Sequence, residues 1–315
     1  MFENARQYAQ DTSNFPELAS AFSRDDVPVN RIVPSVVAFF MLPTRLMFFG
    51  IFIMICAVIV SLPNILISQK NQRQYVLFTA WLIQTLALNT WVTVTEGEHS
   101  DSRRAIISNH ASPMDVFVLI STAGASFVAN DGVRGIPGIG HIGSRLGCTF
   151  VYRGKNAEKR ERCKNAILDK IVALSEGTDK DGYVVFPEGT VTNGNGMIQF
   201  KSGVFQPAYE NDKVFKEVQP AIIRYFPALG APKQTLATQE QAEWLAMTVS
   251  TLWTKATLKW LPPIKAPVCP PDMDATDCAN VYATHAWEKM SEAAGMPMMS
   301  GTLTALKKSK NATKV

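Results

Sequence analysis

The stretch Ala105-Ile106-Ile107-Ser108-Asn109-His110-Ala111-Ser112-Pro113-Met114-Asp115 decides the fold. Its first four residues form an apolar run that reads as a buried strand. Ser112-Pro113 reads as the start of a helix, since serine caps free N–H groups and proline suits the first helical position. A histidine and an aspartate thus stand five positions apart at a strand-to-helix turn. Two readings compete. In one, Ser112 and Asp115 form a capping box and the histidine is structural. In the other, a neutral imidazole takes a proton from an alcohol, and the carboxylate fixes its tautomer and stabilises the imidazolium. The second reading suggests acyl transfer to a hydroxyl without a protein nucleophile.

Outward from this turn, short apolar runs alternate with helical patterns. Strands are expected at residues 105–108, 126–129, 149–152, 183–186 and 218–225. Helices are expected at 156–175 and 242–255, and a last amphipathic one at 277–294. Such alternation predicts an α/β fold with a mostly parallel sheet flanked by helices. Gly138, Gly140 and Gly143 fit a dinucleotide-binding pattern, but no convincing strand precedes them and Pro137 does. They read instead as a helix packed closely through small residues. His99, His141 and His285 have no metal-like partners in sequence and take no ligand role.

Three later segments share the order of the chain with the His–Asp turn. They are Gly147-Cys148-Thr149-Phe150-Val151-Tyr152-Arg153, Phe186-Pro187-Glu188-Gly189-Thr190, and Val218-Gln219-Pro220-Ala221-Ile222-Ile223-Arg224-Tyr225. Together the four segments resemble the ordered motifs of the glycerolipid acyltransferase family. The finer resemblance is to its lysophosphatidylcholine and lysophosphatidylethanolamine acyltransferase branch. It rests on Val191-Thr192-Asn193, on Phe200-Lys201 with Gly203 and Phe205, and on Tyr282-Ala283 and Met290.

The resemblance implies roles. His110 would be the general base and Asp115 its orienting partner, with Ser112 a cap rather than a nucleophile. Arg153 would grip the acceptor's phosphate, because a guanidinium fork matches phosphate oxygens. Lys201 is a second, weaker phosphate candidate. Glu188, Gly189 and Thr190 would line the acceptor site, with Glu188 bonding a headgroup or glycerol oxygen or organising its loop. Pro220 lies in the motif associated with acyl-CoA, though a strand-edge proline is an equal reading. Apart from the resemblance, backbone N–H groups at the helix start after Ser112 are candidates to hold the oxyanion, and the sequence does not identify the donors. Acyl-CoA is a co-substrate and no cofactor or metal is implied.

Composition sets the frame. Of 315 residues, 18% are charged, below the usual quarter, and the net charge of +4 is too small to suggest nucleic acid. Mean hydropathy is +0.03. Residues 1 to about 30 are polar and mixed in charge and lack the pattern of a signal peptide. Residues 46–67 carry no charge and are long enough to span a bilayer as a helix. Residues 75–94 read as the return arm of a hairpin or as an interfacial helix, with Trp81 and Trp91 as interface anchors. The expected organisation is therefore a polar segment at 1–45, a membrane anchor at 46–94, the acyltransferase domain at 95–297 and a basic tail at 298–315. Five cysteines without metal-type spacing favour a reducing compartment over a disulfide framework. The partners expected are acyl-CoA, a lysophospholipid and the bilayer, at the endoplasmic reticulum with the domain facing the cytosol. Acylation of glycerol-3-phosphate or lysophosphatidic acid remains open. So do a non-catalytic hairpin-anchored adaptor and a transacylase.

Overall fold

The computed structural model describes residues 69–99, 103–136, 139–152, 154, 156–178, 182–214, 216–230 and 241–301, with isolated positions between 21 and 51. Helix α1 (Gln69–Leu82) widens into a π-helical turn (Ile83–Ala87) and leads to β1 (Thr90–Glu96). Then come β2 (Ala105–Ser108), α2 (Met114–Ala123), β3 (Ser126–Asn130), α3 (Ile139–Arg145), β4 (Thr149–Val151), α4 (Ala157–Ser175) and β5 (Tyr183–Val185). The chain continues through β6 (Met197–Ile198), the single turn α5 (Pro207–Glu210), β7 (Glu217–Pro227), α6 (Gln241–Ser250) and β8 (Thr254–Trp260). It closes with β9 (Ile264–Lys265), α7 (Ala275–Ala294) and β10 (Met298–Met299).

The main sheet runs β1-β8-β7-β2-β5-β3-β4, with β9 also paired to β7. The run from β7 to β4 is parallel throughout. β8 is antiparallel to β7, and β1 is parallel to β8. The expected mostly parallel α/β sheet is therefore present, with two reversed strands at one edge. β2 lies between β7 and β5, so its carboxyl end opens at the middle of the sheet, where α/β folds place their sites.

Two apolar layers cover the sheet. On one face α1, α2 and α3 pack through Val76, Met114, Val118, Leu119 and Ile142 against Ile106, Val184 and Ile223. On the other, α4 and α7 pack through Ile171, Leu174, Tyr282, Trp287 and Met290 against Ile107, Tyr183 and Ile222. Alternate residues of β2 and β7 thus feed opposite cores, as the two-residue period of a strand requires. Gly140 in α3 sits so close to the Arg134 backbone that a Cβ would collide with it, which supports the small-residue packing read from sequence.

Several expectations change. Residues 69–94, assigned to a membrane anchor, belong to the domain: Val76, Ala80, Ile83 and Leu88 are core residues. The polar Gln84 of this stretch is buried and accepts from the Ser121 hydroxyl at 2.9 Å. Thr90-Trp91-Val92-Thr93-Val94 is a strand rather than the end of a helix, because its β-branched residues favour extended backbone. The helix expected at 242–255 stops at Ser250. Beyond it, Thr254, Ala256, Leu258 and Trp260 are buried while the residues between them are not, so a period of two makes β8. Met298–Met299 pairs with Met197–Ile198, so the fold runs past residue 297. Cys269 and Cys278 form a disulfide, against the reading of unpaired thiols, because the chain before α7 folds back to a Cα–Cα distance of 5.6 Å. Among the described residues no helix is long and apolar enough to cross a membrane, and most of the apolar stretch 46–67 lies outside them.

Candidate active site

His110 leaves the end of β2, and Asp115 stands in the first turn of α2. The imidazole Nδ1 lies 2.9 Å from Asp115 Oδ2. The same carboxylate oxygen accepts the N–H groups of Ala111 (2.8 Å) and Ser112 (2.9 Å). The other oxygen, Oδ1, accepts from the Tyr225 hydroxyl at 2.6 Å. Asp115 is fully buried, so this donor set is what makes its charge tolerable. The two competing readings of the motif are both realised: one carboxylate caps the turn and orients the ring. Met114 N–H donates to Ser112 Oγ at 3.3 Å, and Ser112 is itself fully buried. That serine is a cap with no exposed oxygen to attack a substrate.

The backbone of His110 is held on both sides by one loop. Its N–H donates to Glu188 Oε1 (2.8 Å), and its carbonyl accepts from Thr192 N–H (2.8 Å). The ring stacks on Phe186, with centroids 4.1 Å apart and planes at 15°. The His110 side chain keeps 17% exposure, and among the described residues Nε2 has no partner. Asn109 adds a bidentate lock: Nδ2 donates to the Ile223 carbonyl at 3.0 Å, and Oδ1 accepts the Ile223 N–H at 2.8 Å. β7 therefore fixes the residue before the histidine and, through Tyr225, the aspartate after it.

Glu188 is turned inward. Its second oxygen accepts Ile198 N–H at 3.3 Å, and only 1% of the residue is exposed. Burial pushes its carboxyl up to about 8; the two N–H bonds oppose the shift and the Asp115 charge adds to it. Of the two roles considered for Glu188, the geometry is that of a loop organiser tying β2 to β6. Gly189 has φ +67°, and Lys201 lies directly over it, where a Cβ would meet the ammonium group. Thr190 is half-buried in the same loop, and Lys201 is exposed. Trp287 of α7 braces this loop by donating to the Met197 carbonyl at 3.0 Å.

Two expected site residues remain, Arg153 and Pro220. Arg153 lies outside the described residues; β4, which ends at Val151, is three strands from β2, about 14 Å at ordinary strand spacing. Pro220 is not at a strand edge. It sits within β7, in register with Ile107, three residues short of His110. Its carbonyl accepts from Leu261, so its missing N–H faces the break between β8 and β9, where the ladder has no rung to lose. The oxyanion expectation is corrected as well. The N–H groups of Ala111, Ser112, Met114 and Asp115 all bond within the turn, so none of them is left for an oxyanion.

Sequence reasoning missed Tyr225 and Asn109 as site residues. Both stand inside quoted motifs. The usable signal was a hydroxyl and an amide in otherwise apolar strand segments, where a polar group needs a partner.

Residues 91–223 match the family described as Acyltransferase. A lysophospholipid acyltransferase of Arabidopsis thaliana is 26% identical over 195 residues, covering 62% of this chain and 45% of that protein. A lysophosphatidylcholine acyltransferase of Drosophila melanogaster is 25% identical over 232 residues, covering 72% of this chain and 40% of that protein. The match thus spans less than half the length of these relatives. A crystal structure of a 1-acyl-sn-glycerophosphate acyltransferase from Thermotoga maritima shares the fold, with a TM-score of 0.50 at 18% identity, over 85% of this chain and 97% of that one. The strand-to-helix turn that carries His110 and Asp115, the strands β2 and β5, and β7 as far as Ile223 lie in the matched span, and the chain carries an Acyltransferase-family domain.

Proposed function

We propose that this chain transfers an acyl group from acyl-CoA to the free glycerol hydroxyl of a lysophospholipid, of the lysophosphatidylcholine or lysophosphatidylethanolamine type. The observation that carries the reading is the His110–Asp115 pair at 2.9 Å, with Nδ1 engaged and Nε2 open. Nε2 takes the hydroxyl proton as the acceptor oxygen attacks the thioester carbonyl. The tetrahedral intermediate collapses, the C–S bond breaks, and the imidazolium returns the proton to the leaving thiolate. Asp115 holds the ring and stabilises its charged form. General-base help of this kind is typically worth ~10²–10⁴-fold. The buried Ser112 agrees with direct transfer rather than an acyl-enzyme.

Arg153 and Lys201 supply phosphate contacts in this reading, and Gly189 and Thr190 shape the acceptor loop. Pro220 belongs to the acyl-CoA side through the strand it shapes. The membrane is the source of the acceptor, and the endoplasmic reticulum, with the domain facing the cytosol, is the proposed location. The names of the two relatives above, both lysophospholipid acyltransferases, support the acceptor class.

The test is thiol release from oleoyl-CoA with a panel of lysophospholipids, beside His110→Ala. Headgroup-dependent release that disappears in the variant is the expected result. Use of lysophosphatidic acid alone would overturn the branch assignment. No acceptor-dependent release from folded protein would overturn the enzyme reading.

A further inference from the structure

The end of the sheet where β7 stops and β8 starts carries a cluster of exposed apolar side chains that the site does not use. Trp91 stands in register with Lys255, and Lys255 with Phe226, so the three project side by side from one face. Trp91 is 59% exposed and Phe226 50%. Ala228 N–H donates to the Trp253 carbonyl at 2.9 Å, which brings the ends of β7 and β8 together. Leu229, Leu252 and Trp253 are all exposed there. Leu229 also has φ +56°, a left-handed conformation that leucine rarely adopts. An exposed leucine held in a strained turn is a poor choice for a surface facing water.

Two features give this patch an occupant. First, the Arg45 guanidinium donates to the carbonyls of Val249 (3.2 Å), Thr251 (2.6 Å) and Leu252 (3.4 Å). The uncharged stretch 46–67 begins at the next residue, so in sequence a segment with bilayer-like composition is joined directly to the residue held at this patch. Second, a lysine between two aromatic rings matches the boundary of a bilayer. There the rings sit at headgroup depth and the ammonium reaches lipid phosphate.

We propose that the ends of β7 and β8, with Trp91, form a rim that rests on a lipid bilayer and sets the domain beside its acceptor. The inference rests on the lipid acceptor proposed above. The rim lies at the same end of the sheet as His110. Tyr225, which bonds Asp115, is the residue before Phe226, so the lipid contact and the dyad share one strand. A lysophospholipid leaving the bilayer there reaches the imidazole without crossing open water.

The test uses the full chain with phosphatidylcholine vesicles containing phosphatidylserine. Amide exchange in 226–229 and 251–254 should slow when vesicles are added. Phe226→Ser with Trp253→Ser should remove that protection. The double variant should lower turnover of vesicle-borne acceptor about tenfold or more and spare a short-chain acceptor dispersed in water. Leu229→Asn is the second variant. Asparagine tolerates the left-handed turn, so this variant should fold at least as well while still losing vesicle-borne turnover. Unchanged exchange on vesicles overturns the proposal. So does equal loss with both acceptors, or protection of the same amides that grows with protein concentration alone, which marks a contact between copies. The exchange arm reads the rim even if no acceptor is turned over, so it fails separately from the acyltransferase reading.

Discussion

Tyr225 Oη donates to Asp115 Oδ1 at 2.6 Å, so the carboxylate that orients His110 is itself held by a strand 110 residues further along the chain. Burial, and then the Asp115 charge and hydrogen bond, keep the phenol well above its usual range, so it remains a donor at any working pH. Tyr225→Phe leaves one oxygen of a buried carboxylate short of a partner. The expected cost is about 1–3 kcal/mol of stability. Activity should fall through kcat more than through the KM for acyl-CoA, because the ring loses its orientation and no substrate contact is removed. Steady-state kinetics beside denaturant unfolding checks both.

His110→Ala should remove turnover by ~10²-fold or more and leave the protein folded. Asp115 loses one bond but keeps Ala111, Ser112 and Tyr225. The loss of the Phe186 stack costs stability of order 1 kcal/mol. A melting transition close to that of the parent, with no acceptor-dependent thiol release, is the expected pair of results.

Glu188 links pH to stability. Its carboxyl is raised to about 8 in the folded chain, against an ordinary value of 4.5. Between these, the unfolded chain has lost a proton that the folded chain keeps. The contribution is therefore present below about 4.5, declines as pH rises, and is gone above about 8. Glu188→Gln cannot titrate. The stability of the variant minus that of the parent should rise between these pH values, whatever constant offset the altered Ile198 bond imposes. A flat difference in denaturant midpoints across that range would contradict the assignment.

Gly189→Ala tests the loop and Lys201 together. Its φ of +67° penalises a side chain by roughly 1–2 kcal/mol, and the new methyl displaces the Lys201 ammonium. If Lys201 holds the acceptor's phosphate, the KM for acceptor rises while that for acyl-CoA holds. Arg153→Ala should move the acceptor KM in the same direction. Initial rates with each substrate varied in turn separate the two effects.

The sequence determined the local elements and the identity of the dyad. Strand β2, the cap at Ser112 and the His110–Asp115 spacing follow from short-range rules: apolar runs, caps and a single turn of chain. It missed β1 and the end of α6, because a helical and a strand period cannot be told apart over a few residues beside a long apolar pattern. The tertiary structure decided the rest. Only strand order brings Ile223 to Asn109 and Tyr225 to Asp115, and only the loop closed by Trp287 turns Glu188 inward. It also spent the turn's N–H groups on Asp115 and Ser112, and paired Cys269 with Cys278. The physical reason is common to all of these. A buried polar group must find its partner in space, and sequence separation says nothing of which distant strand will supply it.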